Sequence, residues 1–349
     1  MTKPVTCVFL GSGASKALAG IPIQRNFLCS VLTEERSQWI DDCHIRESEK
    51  LKICKSSLSS WMLEVEDIEL CMSYLHHVAY ANSKSNEAIT SEVKHARRAI
   101  VNLRAAIAVY LKDFNPQVGL TERFRKRFKL NDDDNSVVIL TTNYDLVLEK
   151  LLSEYHYPAI SDEERGIPIY KLHGSINWLE KRWFKDGKLK SMKDLGADRK
   201  ADFLPSDMSQ LKASRRSQEW AYLFDGEECL INGGKHHTYN PILVPFVYQK
   251  NDWLGDDGGW NKIFPDHWKH AQEFLLKNKL ERIYFIGYSL PPADHHMLSF
   301  LLKVLNGHKQ TPRVTIVCKG DQKRLEMALK PFQPRVCRCG LERFLEDHV

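Results

Sequence analysis

No stretch of eighteen or more apolar residues occurs in the 349 residues, so no membrane-crossing helix is expected. The opening MTKPVTCVFLGSG lacks the basic region, apolar core and cleavage site of a secretory leader, which points to the cytoplasm. Cysteines are too few and too scattered for a staple. There are nine, an odd number, and in the nearest pair Cys337 and Cys339 are separated by one residue, which fits neither a disulfide framework nor paired zinc knuckles. Charge of one sign is also scarce: 50 basic against 45 acidic residues leave +5, short of the footprint of a dedicated nucleic-acid binder. The basic and aromatic stretch Phe124 to Phe128, with Arg125, Lys126 and Arg127, reads more readily as a solvated helix face than as a nucleic-acid surface. HExxH spacing is missing as well. The adjacent pairs His76-His77, His236-His237 and His295-His296 diverge on a helix rather than converge on one ligand, so no metal is expected.

With 43% hydrophobic residues the chain can bury a large core. Val5 to Leu10 is a short apolar run ending at Gly11, as in a buried parallel strand that closes in a tight turn. Ser136 to Thr141, Ile167 to Leu172, Arg282 to Ile286 and Val314 to Cys318 repeat that form. Helices are expected over Asp145 to Tyr155, Trp260 to Leu280, Ala293 to Leu305 and Asp321 to Leu329. The alternation predicts an α/β fold: a Rossmann-like, doubly wound parallel sheet of about six strands, built from residues 1–25 and 131–349. Residues 26–130 read as a helical insertion. Within it, Asp67 to Ala81 has helical period, and Asn86 to Phe114 places Ile89, Val93, Ile100, Leu103, Ile107 and Leu111 on one side. Residues 180–237 are polar and weakly periodic, and are expected to form a loop-rich second insertion.

Three strand ends carry chemistry-bearing residues, and that edge is where open α/β sheets hold ligands. Gly11, Ser12, Gly13, Ala14 and Ser15 follow the first strand, where glycines let backbone amides approach a phosphate at a helix N-terminus. A plain turn capped by Ser15 is the alternative. Lys16 occupies the place of the third small residue in a dinucleotide fingerprint, which disfavours an ordinary nicotinamide dehydrogenase. Asn143 at the end of the second strand is a rigid paired donor and acceptor, or else part of an Asx turn. His173 beside Gly174 is a candidate base, or a satisfied structural histidine. Asp145 is a field-setting carboxylate or a helix cap.

Taken in order, Gly11-Ser12-Gly13-Ala14-Ser15 with Gly20-Ile21-Pro22, Thr141-Thr142-Asn143-Tyr144-Asp145, Leu172-His173-Gly174 and Gly287-Tyr288-Ser289 resemble the motif series of the sirtuin superfamily. The longer phrases Lys171 to Trp178 and Gly287-Tyr288-Ser289-Leu290-Pro291 with Asp294 resemble its bacterial, anti-phage branch, whose members destroy NAD. The resemblance covers the start of the chain and most of Ser136 to Leu305. It implies Asn143 and His173 as catalytic residues. It implies NAD as the substrate, held by Gly11, Ser12, Gly13, Ala14, Ser15, Pro22, Thr142, Asp145, Gly287, Tyr288 and Ser289. Deacylases of the superfamily carry a four-cysteine zinc module after the His-Gly motif, whereas between His173 and Gly287 this chain has Cys229 alone. The implied activity is therefore an NAD glycohydrolase that depletes NAD in abortive infection. Its trigger would be homo-oligomerisation or a separate protein such as a DNA-translocating ATPase or an Argonaute-like protein. An NAD or ADP-ribose sensor without turnover is the second reading, and an NAD-dependent deacylase the third.

Overall fold

The computed structural model describes residues 4–22, 68–80, 93, 96, 100, 107, 110–111, 114–130, 136–158, 165–180, 184–185, 188–189, 221–223, 243, 263–320 and 322–346. They fall into two compact units: Met1–Ile21, Phe114–Gly174 and Lys250–Val349 form the first, and Pro22–Asp113 with Ser175–Gln249 the second.

In the first unit β1 (Pro4–Leu10) leads into α1 (Ser12–Ala19), followed by α2 (Val118–Phe128), β2 (Ser136–Thr141), α3 (Val147–Leu151), β3 (Tyr155–His156) and β4 (Ile167–Lys171). Next come α4 (Ile263–Lys277), β5 (Lys279–Ile286), α5 (His295–Asn306), β6 (Arg313–Val317), α6 (Lys323–Leu329), β7 (Arg335–Cys337) and α7 (Gly340–Glu346). The strands make one parallel sheet in the order β7-β6-β5-β1-β2-β4-β3. This is the Rossmann-like α/β arrangement the alternation predicts, with seven strands rather than about six.

Parallel strands are covered on both faces, which is why they read as continuous apolar runs. Val5, Cys7 and Phe9 of β1 share one core with Ala271 and Leu275 of α4, Met297 and Leu301 of α5, and Leu325 and Leu329 of α6. The Val, Phe, Leu and Met side chains among them, buried this fully, contribute roughly 1.5–3 kcal/mol each. On the remaining helices, α1 packs against α3 and α7, and α7 against α2 and β6. Helix α2 thus belongs to the sheet unit, although residues 26–130 read as one insertion. Phe124 and Phe128 are buried, Arg127 lies over the Phe344 ring at 4.8 Å, and Arg125 Nε donates to the Leu151 carbonyl at 2.7 Å. Here the basic and aromatic stretch serves packing.

The helix expected from Asp145 to Tyr155 is confined to α3. Leu152 is already extended (φ −91°, ψ 138°), and the chain passes into β3, where Tyr155 pairs with Ile167 and His156 with Pro168. A tertiary pairing overrides the local preference. Likewise α4 ends at Lys277 because β5 begins two residues on, and a 3-10 turn, Pro292–Asp294, precedes α5.

The second unit contains a helix, Ile68–Tyr80, with Cys71, Met72 and Leu75 buried. Val93, Ala96, Ile100, Ile107, Tyr110 and Leu111 are helical, and all but Val93 are buried, whereas Phe114, in the first unit, is no longer helical. Ile89, Leu103, His236, His237 and most of 180–237 lie outside the described residues. Trp178–Glu180 pairs antiparallel with Ala221–Leu223, and Phe184–Lys185 with Lys188–Leu189.

Candidate functional site

The chain runs from β1 outward to β2 and β4, then crosses to β5 on the other side of β1. That reversal makes the carboxyl ends of β1, β2 and β5 a topological switch point, where open sheets form a crevice.

The turns after β1 and β5 interlock. Gly11 N donates to Ile286 O at 3.0 Å, Gly13 N to Gly287 O at 2.9 Å and Ala14 N to Gly11 O at 2.9 Å. A side chain on Gly11 would lie 2.6 Å from Gly287 O and Tyr288 Cα, and one on Gly287 would lie 2.7 Å from Gly13 Cα. The glycines serve close packing of two turns, and the amides of Gly11, Gly13 and Ala14 are given to protein carbonyls. Gly287 also has φ +62°. Gly287→Ala is expected to cost about 1–2 kcal/mol for the left-handed backbone and roughly 1–3 more for the overlap. Thermal unfolding checks this, and a melting temperature equal to wild type would refute it. Ser12 and Ser289 are exposed, Pro22 and Thr142 half-buried.

Behind this edge lies a polar chain. Thr141 Oγ1 donates to Leu10 O at 2.9 Å and accepts from Asn143 N at 3.0 Å. Asn143 Nδ2 donates to Gly11 O at 2.9 Å and to Ser15 Oγ at 2.8 Å, which uses both amide hydrogens and leaves Oδ1 as an acceptor. Ser15 Oγ donates in turn to Asp145 Oδ2 at 2.8 Å, while Asp145 Oδ1 accepts from Val147 N at 3.0 Å. Asp145 thus holds the serine and also the start of α3. Its burial pushes the carboxyl above the ordinary range, against the opposing pull of Lys171 and of the Ser15 and Val147 hydrogen bonds.

Lys171, the last residue of β4, is fully buried. Its ammonium donates to Glu149 Oε1 at 2.8 Å and to the carbonyls of Tyr144 and Asp145, and Tyr157 OH donates to the same Glu149 oxygen at 2.5 Å. The loop that carries Asn143 is therefore tied to β4 by a buried cation.

His173 follows β4, whose end is bound to β2 by Leu172 N donating to Thr141 O at 2.8 Å. Trp268 of α4 donates its Nε1 hydrogen to Leu172 O at 2.6 Å and stacks on the His173 ring, with centroids 6.3 Å apart and planes 21° apart. The Tyr144 ring lies 6.5 Å away. His173 Nε2 is 3.7 Å from Asp294 Oδ1, and Asp294 Oδ2 accepts from Tyr288 OH at 3.1 Å. Two clusters result: Ser15, Asn143 and Asp145 with Lys171 beneath, and His173, Asp294 and Tyr288 beside Trp268.

Thr141, Glu149, Tyr157, Lys171 and Trp268 are missing from the residues expected to act at the site, although Thr141 and Lys171 stand within the quoted motifs. A lysine closing an apolar strand is the one visible signal, because a buried lysine needs a partner. Among the described residues no three His, Cys, Asp or Glu side chains are grouped to hold a metal ion. His267 is fully buried, and burial holds its imidazole down to a pKa of about 3. Among the described residues no helix is long and apolar enough to cross a membrane.

The fold is that of a Rossmann-like α/β protein with buried polar clusters at the strand ends of its switch region. No protein-family model matches the chain, and no curated protein matches it.

Proposed function

We propose that this chain hydrolyses the nicotinamide glycosidic bond of NAD, giving nicotinamide and ADP-ribose. One observation carries the reading: Asn143 at the switch point has both amide hydrogens committed to Gly11 O and Ser15 Oγ, so the group it offers a ligand is a fixed acceptor, Oδ1. Glycosidic cleavage builds oxocarbenium character at the anomeric carbon, and nicotinamide leaves as a neutral base with the electron pair of the broken bond. The protein must then orient water and take its proton. Asn143 Oδ1 accepts a hydrogen bond from the attacking water, whose oxygen forms the new bond to the anomeric carbon, and His173 receives the proton released. Asp145 sets the orientation of Ser15 and, through it, of Asn143. NAD is bound as substrate along Gly11 to Ser15, Thr142 and Gly287 to Ser289. Because the Gly11, Gly13 and Ala14 amides are engaged, Ser12 and Ser289, both exposed, are the groups to meet its phosphates and riboses.

The motif resemblance extends the proposal to an NAD-depleting effector of anti-phage defence in the cytoplasm, triggered by self-assembly or by a separate activating protein such as a DNA-translocating ATPase or an Argonaute-like protein. The test is to incubate the full chain with NAD over a range of protein concentrations and quantify nicotinamide and ADP-ribose by chromatography. Equal release of the two products, steeper than linear in protein and lost in His173→Ala, is expected. Saturable NAD binding with no product at any concentration would replace hydrolase with sensor.

A further inference from the structure

We infer that Asp294 is the positioning carboxylate of His173, selecting which ring nitrogen takes the proton. The catalytic part rests on the function proposed above, while the pairing rests on geometry alone. Asp294 stands at the N-cap of α5, a twelve-residue helix, yet makes no side-chain cap bond there. An aspartate at that position ordinarily turns its oxygen onto the amides of the first turn. This one turns the other way, with Oδ2 accepting from Tyr288 OH at 3.1 Å and Oδ1 at 3.7 Å from His173 Nε2. Both side chains are buried, 8% exposed for His173 and 5% for Asp294, so little water screens the pair.

The backbone between Tyr288 and Asp294 is restricted by its residues. Leu290 has φ 55° with its side chain buried, Pro291 and Pro292 follow, and Asp294 N donates to Pro291 O at 2.9 Å. A leucine in the left-handed region is uncommon, and such strain persists where surrounding structure holds it for a purpose. Among the described residues, Tyr144 from the turn after β2, Trp268 from α4 and Asp294 from the segment after β5 lie against His173, with Tyr288 behind Asp294. Lys171, two residues earlier, directs its ammonium to Glu149 and to the Tyr144 and Asp145 carbonyls. Among the described residues, Asp294 is thus a carboxylate placed against the imidazole.

A carboxylate at Nε2 places the ring hydrogen there and puts the lone pair on Nδ1, which becomes the atom that receives the proton of the attacking water. The imidazolium formed is stabilised by the same carboxylate, which stays ionised. A separation of 3.7 Å exceeds a hydrogen bond, and catalytic contacts of this kind tighten when the substrate is bound.

The test uses the full chain with Asp294→Asn and Asp294→Ser, both good N-caps without the charge, so a capping role alone would survive either change. The His173 imidazole is titrated by NMR with labelled histidine, its resonance identified by loss in His173→Gln. In both variants its midpoint is expected to fall by roughly one pH unit or more, because the charge that favours the imidazolium is gone. Nicotinamide release should lose on the order of 10²-fold in kcat with little change in KM, and its acid limb should move to lower pH. An unmoved midpoint in folded variants would overturn the pairing, and a moved midpoint with unchanged kcat and pH profile would overturn the positioning role. A wild-type chain that leaves NAD intact removes the proposed reaction, while the titration still decides the pairing.

Discussion

Lys171→Met is expected to lower the unfolding free energy by roughly 3–5 kcal/mol, the cost of leaving one partner of a buried ion pair alone. The side chains of Lys171 and Glu149 are 1% and 5% exposed and meet at 2.8 Å, so Glu149 would keep a charge that water cannot reach. Tyr157 OH would still donate to it, which limits the loss without removing it. The Tyr144 and Asp145 carbonyls would lose their shared donor too, loosening the segment that bears Asn143. Adding Glu149→Gln to Lys171→Met should recover a good part of the loss, since the stranded charge is what costs most. Urea denaturation of wild type, single and double variants measures this. A single variant as stable as wild type would mean that the pair holds nothing together.

Asn143→Asp is expected to reduce nicotinamide release by on the order of 10²-fold or more, although the side chain barely changes size. The native amide donates from Nδ2 to Gly11 O and Ser15 Oγ. A carboxylate there has no hydrogen to give, so its oxygen would face the Gly11 carbonyl, and Ser15 would stand between two acids, the new one and Asp145. The side chain must swing away, and the acceptor proposed to orient water goes with it. Single-turnover assays of the folded variant separate this loss from weakened NAD binding. Wild-type turnover in the variant would remove Asn143 from the reaction.

The strands that deliver the site were legible because buried parallel strands are apolar on both faces: VTCVFL, SVVILT, IPIYKL and RIYFI announce themselves before the motif residues that follow. The two short edge strands were not. Tyr155–His156 and Arg335–Cys337 are too brief and too polar to stand out, and they exist through pairing with β4 and β6. The positions of Asn143, Asp145 and His173 at strand ends could be read directly. Their partners could not, because nothing in the chain ties Lys171 to Glu149 twenty-two residues earlier, or shows that Asp294 declines the cap it occupies. The use of the Gly11 and Gly13 amides was hidden for a similar reason. A glycine admits close approach, but whether a ligand or the turn around Gly287 fills the space is decided in three dimensions.

The central place of β1 has a consequence for how the chain is made. Its two ladders are with Ser136–Thr141 and Lys279–Ile286, so the middle of the sheet is synthesised first and completed last. At about 5–20 residues per second on the ribosome, roughly 15–50 s separate the emergence of β1 from that of β5. Throughout that interval Cys7 to Leu10 is an apolar strand with at least one edge open to other chains, the kind of segment that aggregates unless covered. A chaperone that shields nascent chains would find a client segment here, and expression yield should depend on it more than the stability of the finished sheet suggests.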